Sequence, residues 1–301
     1  MYGWQMQRKG KMPMAERHAP DIRIFVSCHK AFPVPEGGLL YPIHVGAALA
    51  DRPLDGYIRD DSGENISRLN RRYCELTGQY WAWKNADAEY YGFFHYRRYL
   101  YPDTHCRRPY IIRSEPDGAL LEKLGYGTFA GLIGQYQLIA PVGEDMHVSV
   151  REHYGAAPFH RAKDLELAER IVARRYPEYA EAMEHYLSGT ICYWGNIYIM
   201  DRETFFDYCG WLFPILREFD ETADLSGYSA QELRVDGYLA ERLFGVYYTK
   251  RRASLACLEL PRVHFEPDTG RRVKQQVINA LLPPGSGLRA RVKKLVMERD
   301  K

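Results

Sequence analysis

Short apolar runs alternate with longer stretches of helical period along most of this chain. Ile22-Arg23-Ile24-Phe25-Val26-Ser27-Cys28 is β-branched and aromatic, which predicts a buried strand. Pro33, Pro35 and Gly37-Gly38 then impose a loop, and Asp60-Asp61-Ser62-Gly63 reads as a turn. From Asn70 to about Lys84 the residues Tyr73, Leu76, Thr77, Tyr80 and Trp81 recur at spacings of three and four. That period predicts one helix with one shared face. Tyr90-Tyr91-Gly92-Phe93-Phe94 predicts a second core strand, delivering His95-Tyr96-Arg97-Arg98 at its carboxyl end.

Further strands are expected at Tyr136–Ala140, stopped by Pro141, and at Asn196–Met200. Residues 161–187 carry a helical period that Pro177 divides into two helices. Asp201 is a good N-cap for a helix from about Glu203 to Phe219, and another helix spans roughly Ala230 to Phe244. Strands alternating with helices define an α/β domain with a largely parallel sheet. In such sheets ligands bind beyond the carboxyl ends of the strands. His29-Lys30 and His95 to Arg98 therefore fall at one edge, side by side if their strands are neighbours.

Composition changes this picture only in places. The chain has 301 residues, among them 24 Tyr and 5 Trp, and such rings suit carbohydrate faces as well as protein cores. A net charge of +2 with the two signs well mixed argues against a general nucleic-acid binder. No stretch approaches the roughly 18 to 20 apolar residues that cross a bilayer, and Met1 to Pro20 has no apolar run behind its basic residues. Six scattered cysteines without a CxxC pair read as reduced thiols, and a cytoplasmic location is expected. Residues 1–20 read as a flexible tail. A C-terminal region from 274 carries a Pro283–Gly287 hinge and a short basic amphipathic tail, suited either to solvent or to peripheral contact with the inner face of the plasma membrane.

The chemistry concentrates in a few residues. An imidazole and two guanidiniums at His95, Arg97 and Arg98 suit a diphosphate, unless the arginines pair with structural carboxylates. His29 and Lys30 stand ready for a phosphate, and Asp60, Asp61 and Asn65 for a ribose, a base or a divalent metal (manganese or magnesium). The alternative for Asp60-Asp61 is an ordinary turn. Glu241 lies off the face set by Leu239 and Leu243 and is a candidate general base, with Asp236 as its rival. His147, His153 and His160 lack the spacing of a helical zinc pair, and no GxSxG, P-loop or GxGxxG occurs.

Several ordered blocks then resemble one family. They are Tyr41–Ala47, Arg59–Ser67, Tyr73–Thr77 and Tyr80–Asn85, followed by Tyr91–Tyr99, Asn196–Met200 and Gly237–Leu243. Together they resemble the DUF4422 family of capsular and exopolysaccharide glycosyltransferases over roughly residues 22–250. The resemblance implies a GT-A-like fold, a Rossmann-like and mostly parallel sheet flanked by helices with a helical acceptor-side region. The transferase domain would span 21–273, with a nucleotide-sugar half about 21–140 and an acceptor half about 141–273. It also implies a UDP-sugar donor, with galactose or galactofuranose as the sugar.

The resulting expectation is an inverting transfer to a hydroxyl of a bacterial surface polysaccharide or its lipid-linked precursor. Glu241 or Asp236 is the base; Lys30, His95, Arg97 and Arg98 hold the diphosphate; and Trp81, Trp83 and Tyr96 stack on base or sugar. Asn196 and Arg242 are placed on the acceptor side. Where many GT-A enzymes carry Asp-x-Asp on a metal, this chain has His95 to Arg98, so cations replace the metal or Asp60 and Asp61 hold it from another loop. The competing readings are a non-catalytic carbohydrate-binding subunit of an assembly complex and a nucleotide-sugar hydrolase or phosphotransferase.

Overall fold

The structure, a computed structural model, describes residues 19–35, 38–106, 108–283, 286–289 and 291–292. Residues 1–18 and 293–301 of the two expected tails lie outside it. The strands are β1 (Ile22–Cys28), β2 (Leu40–His44), β3 (Ile58–Arg59), β4 (Tyr90–His95), β5 (Arg98–Leu100) and β6 (Tyr110–Arg113). They continue with β7 (Leu138–Pro141), β8 (Glu144–Asp145), β9 (Ile191–Cys192), β10 (Tyr198–Asp201), β11 (Cys257–Leu260) and β12 (Arg262–Phe265). The helices are α1 (Asn70–Tyr73), α2 (Leu76–Asn85), α3 (Gly118–Lys123), α4 (Phe129–Ile133) and α5 (Val150–Ala156). After them come α6 (Ala162–Arg175), α7 (Ala180–Ser188), α8 (Arg202–Thr222), α9 (Val235–Arg251) and α10 (Thr269–Leu281).

The main sheet runs β11-β7-β10-β4-β1-β2-β3, and every strand on this path points one way except β10. This is the mostly parallel α/β sheet flanked by helices that the alternating pattern predicts. Its central strands are buried on both faces, which explains why their sequences are apolar almost without interruption. Phe25, Tyr91, Phe93, Leu138, Tyr198 and Met200 enter the core beneath the large helices α8 and α9. The alternate residues Ile24, Val26, Phe94, Ile139 and Ile199 enter a second core against α3 and α4. Gly92 sits between Ile24 and Ile199 in register, and a Cβ there would meet the Ile24 side chain at 2.8 Å. The two isoleucines fill the place its side chain would take.

Two local expectations change. The helix expected from Asn70 is broken into α1 and α2 by Cys74, which adopts a left-handed φ of 52°. Asn70 Nδ2 donates to the Cys74 carbonyl (2.7 Å) and to Thr77 Oγ1 (3.0 Å), so the break leaves that carbonyl satisfied. On the shared face Tyr73, Leu76, Thr77 and Tyr80 are buried, whereas Trp81 is half-exposed and donates to Ser62 Oγ (2.8 Å). Farther on, the helix expected from Ala230 starts at Val235 and runs through Val246-Tyr247-Tyr248 to Arg251. The Asp201 cap is present, its carboxylate accepting from Thr204 N at 2.8 Å. Helix α10 crosses the expected tail boundary at 274. All six cysteines are free, and among the described residues no helix is long and apolar enough to cross a membrane.

Candidate functional site

Strands β1 and β4 are parallel neighbours, with Ser27 opposite His95. Their carboxyl ends, together with Val45 after β2, open into a cleft of about 880 Å³. Here the stretch His95–Arg98 is a tight hairpin: β4 ends at His95, Tyr96 and Arg97 make the turn, and Arg98 opens β5 directly across from His95. The sheet thus brings His29, His95, Tyr96, Arg97 and Arg98 to one cleft. Lys30 stands beside them, its Nζ 5.7 Å from the Tyr96 ring centre.

The arginines divide by role. Arg97 is committed to the wall, its guanidinium bonded to Glu266 (2.6 Å) and to the Phe265 carbonyl (3.2 Å). Arg98 is exposed to the cleft, as are Arg71 from α1 and Arg234 from the turn before α9. Arg71 and Arg98 make no side-chain hydrogen bond or ion pair among the described residues, and Arg234 has only the Cys74 sulfur (3.3 Å). Three guanidiniums thus face solvent with little to neutralise them, which is the composition of an anion site.

Their surroundings press the histidines of the cleft toward the neutral form. Burial, and then the neighbouring Arg98, His29 and Arg97, push His95 down to about 3. Its Nδ1 accepts the Arg97 backbone N–H at 3.3 Å, which leaves its proton on Nε2 as a hydrogen-bond donor. Burial likewise lowers His29, and it lowers His264, whose ring stacks on Tyr110. His95 therefore offers the cleft a hydrogen-bond donor rather than the third cation that the bare sequence suggests.

One carboxylate of the cleft was not legible in the sequence. Glu75, half-buried at the start of α2, lines the cleft, and Asn196 Nδ2 donates to its Oε1 at 2.8 Å. Burial raises its carboxyl above the ordinary range, with Glu241 adding repulsion and Asn196 opposing the shift. Asn196 itself is left-handed (φ 50°) and follows left-handed Gly195 (φ 96°). That turn is tied to α9, where Glu241 Oε1 accepts from Gly195 N at 2.7 Å. The other oxygen of Glu241 accepts from buried Arg242 at 2.8 Å, and Arg242 lies over the Trp194 ring at 4.7 Å. Glu241, Arg242 and Asn196 thus form a brace behind Glu75 instead of facing the cleft themselves.

Other expected site residues stand elsewhere. Asp236 is fully buried, paired with Arg72 Nε (3.2 Å), which also bonds Asp220. Burial and the nearby Asp220 push the Asp236 carboxyl well upward, and no substrate reaches it. Trp83 stacks on Phe213 of α8 (5.7 Å, 8°) and carries Lys84 on its face, so it belongs to helix packing. Asp60 is also fully buried; it accepts from Gly46 N (2.8 Å), Ala47 N (3.0 Å) and Ser67 Oγ (2.5 Å). Asp61 is held in a bidentate pair by Arg59, and Asn65 bonds within its own loop, both in a separate depression of about 570 Å³.

With their oxygens so occupied, Asp60 and Asp61 do not fit a divalent metal. Among the described residues no group of three or more His, Cys, Asp or Glu is gathered for one. Asp60→Ala would leave two buried backbone N–H groups and a hydroxyl without acceptors. We expect it to cost about 3 kcal/mol of stability or more, read as a lower urea midpoint, while Asp61→Ala leaves the midpoint nearly unchanged.

The arginine-lined cleft thus lies beyond the carboxyl ends of the strands, the edge at which open α/β sheets bind their ligands. Residues 23–252 match the family described as domain of unknown function DUF4422, and the chain belongs to that family. Among solved structures it is similar to the apo structure of the bifunctional glycosyltransferase WbbM, with 31% identity and a TM-score of 0.78. The match covers 82% of this chain and 45% of the WbbM chain, so this protein spans less than half of that structure's length. No curated protein matches it significantly.

Proposed function

We propose that this protein is an inverting glycosyltransferase that moves a hexose, galactose or galactofuranose, from a UDP-linked donor to a hydroxyl of a bacterial surface polysaccharide or its lipid-linked precursor. The observation that carries the reading is one cleft in which exposed Arg71, Arg98 and Arg234 stand with a single elevated carboxylate, Glu75. Its likeness to a named glycosyltransferase supports the same class of reaction. The diphosphate lies against the three guanidiniums and accepts a hydrogen bond from His95 Nε2–H. Glu75 takes the proton of the acceptor hydroxyl as that oxygen attacks the anomeric carbon. The bond from carbon to the diphosphate oxygen breaks on the opposite side, its electron pair leaves with UDP, and the arginines balance the added charge.

Calorimetry with a panel of UDP- and GDP-sugars, with and without EDTA, tests the donor. We expect one UDP-sugar to bind and to bind equally in EDTA; failure of every donor would favour the carbohydrate-binding subunit. Product NMR tests the stereochemistry, and retention of the anomeric configuration would end the single-displacement scheme.

A further inference from the structure

Helix α10 sits on the body with its polar side inward. Gln275 lines the cleft, Gln276 donates to the Ile112 carbonyl, Asn279 accepts from Tyr110 Oη (3.2 Å), and Arg272 bonds the Glu266 carbonyl (2.9 Å). At the helical repeat these four positions fall within a sector of about 100°. Val273, Val277 and Leu281 occupy the opposite side and are 51%, 51% and 72% exposed. Lys274 and Arg271 lie beside this stripe, and the exposed Leu288 and Val292 follow it. A surface helix ordinarily buries its apolar stripe and wets its polar one; α10 touches the body through polar side chains and leaves its apolar stripe in solvent.

Charge and composition identify what meets that stripe. Residues 269–301 hold nine Lys and Arg against two acidic residues, so this short segment is net +7 in a chain that is +2 overall. The stripe is purely aliphatic, without the aromatic anchors that centre protein–protein interfaces. An aliphatic face with cations alongside is the pattern of a helix lying in the headgroup region of an anionic bilayer. We propose that α10 seats the protein on an anionic lipid surface, with Val273, Val277 and Leu281 in the boundary between headgroups and acyl chains. Because Gln275 of the same helix lines the cleft, the seat brings the cleft mouth close to that surface. The inference rests on the helix and its charge, independently of the reaction proposed above.

Sedimentation of the full chain with phosphatidylcholine vesicles, with or without about one-third phosphatidylglycerol, provides the test. We expect binding to the anionic vesicles only. Val277→Asp with Leu281→Asp should weaken it about tenfold or more without changing the melting temperature or donor binding. Val277→Ser with Leu281→Ser, a milder pair, should fall between. Absence of wild-type binding, or equal binding by both pairs, would overturn the proposal. So would a lowered melting temperature with binding unchanged, since the stripe would then be covered by the chain itself. Self-association without lipid that the Asp pair abolishes would overturn it in favour of a second copy of the chain.

Discussion

Replacing Glu75 by Gln is expected to lower kcat by about a hundredfold or more while leaving the affinity for donor within about twofold, because a positioned general base contributes rate and not ground-state binding. Gln keeps the shape and still accepts a hydrogen bond from Asn196 Nδ2, so the packing at the start of α2 survives. What is lost is the capacity to take a proton. The pH profile carries the sign. The base works only when ionised, so the rate climbs as pH rises through the Glu75 value and falls below it. Burial lifts that value above the ordinary glutamate range, so the acid limb lies at higher pH than for a solvated glutamate. Asn196→Ala removes the hydrogen bond that opposes the shift, and we expect the limb to move to still higher pH. An unshifted limb in Asn196→Ala, or a normal rate in Glu75→Gln, would remove Glu75 from the reaction.

The second large effect is expected at Arg98. Hydrogen bonds to a charged group are worth about 1.5 to 3 kcal/mol, so Arg98→Ala should weaken UDP-sugar binding about ten- to a hundredfold, and Arg71→Ala similarly. Both side chains are exposed and unpaired among the described residues, so neither change should lower the melting temperature. Arg97→Ala is the contrast. It breaks the bonds to Glu266 and to the Phe265 carbonyl and is expected to lower the melting temperature by loosening the wall between β4 and β12. Calorimetry with thermal melts of the three variants separates the groups that meet the ligand from the group that builds the cleft. If Arg98→Ala bound donor normally, the anion would have to sit elsewhere.

The fold was legible because its strands are buried on both faces and so write nearly continuous apolar runs, as at Ile22–Cys28 and Tyr90–His95. Neighbouring strands then carried His29 and His95–Arg98 to the same edge without further information. What remained hidden depends on single backbone angles and long-range pairs. No local pattern announces that Cys74 turns left-handed, yet that break starts α2 at the cleft and makes Glu75 a lining residue. Read as one continuous helix, the stretch gives Glu75 no distinction from any charged residue on a helix flank. Arg71 and Arg234 escaped for the same reason, one on the single-turn helix α1 and the other on the turn before α9, whose placement only the tertiary structure decides. Asp60 misled in the other direction. A carboxylate in a polar turn resembles a ligand, but here it is a buckle for the backbone at Gly46 and Ala47.

The left-handed turn at Gly195-Asn196 has a consequence for how the protein is made. It joins Glu75, 121 residues upstream of Asn196, to Glu241, 46 residues downstream of Gly195. On a ribosome the sheet strands β1 and β4 are complete long before the helix that braces the turn has been synthesised. Arg71 and Arg98 are therefore made early, whereas Arg234 immediately precedes α9 and the Glu75 carboxylate stays unaimed until α9 closes behind it. A chain released short of α9 would lack both the brace and the core residues that α9 buries, so the cleft takes its final form late in the life of the polypeptide.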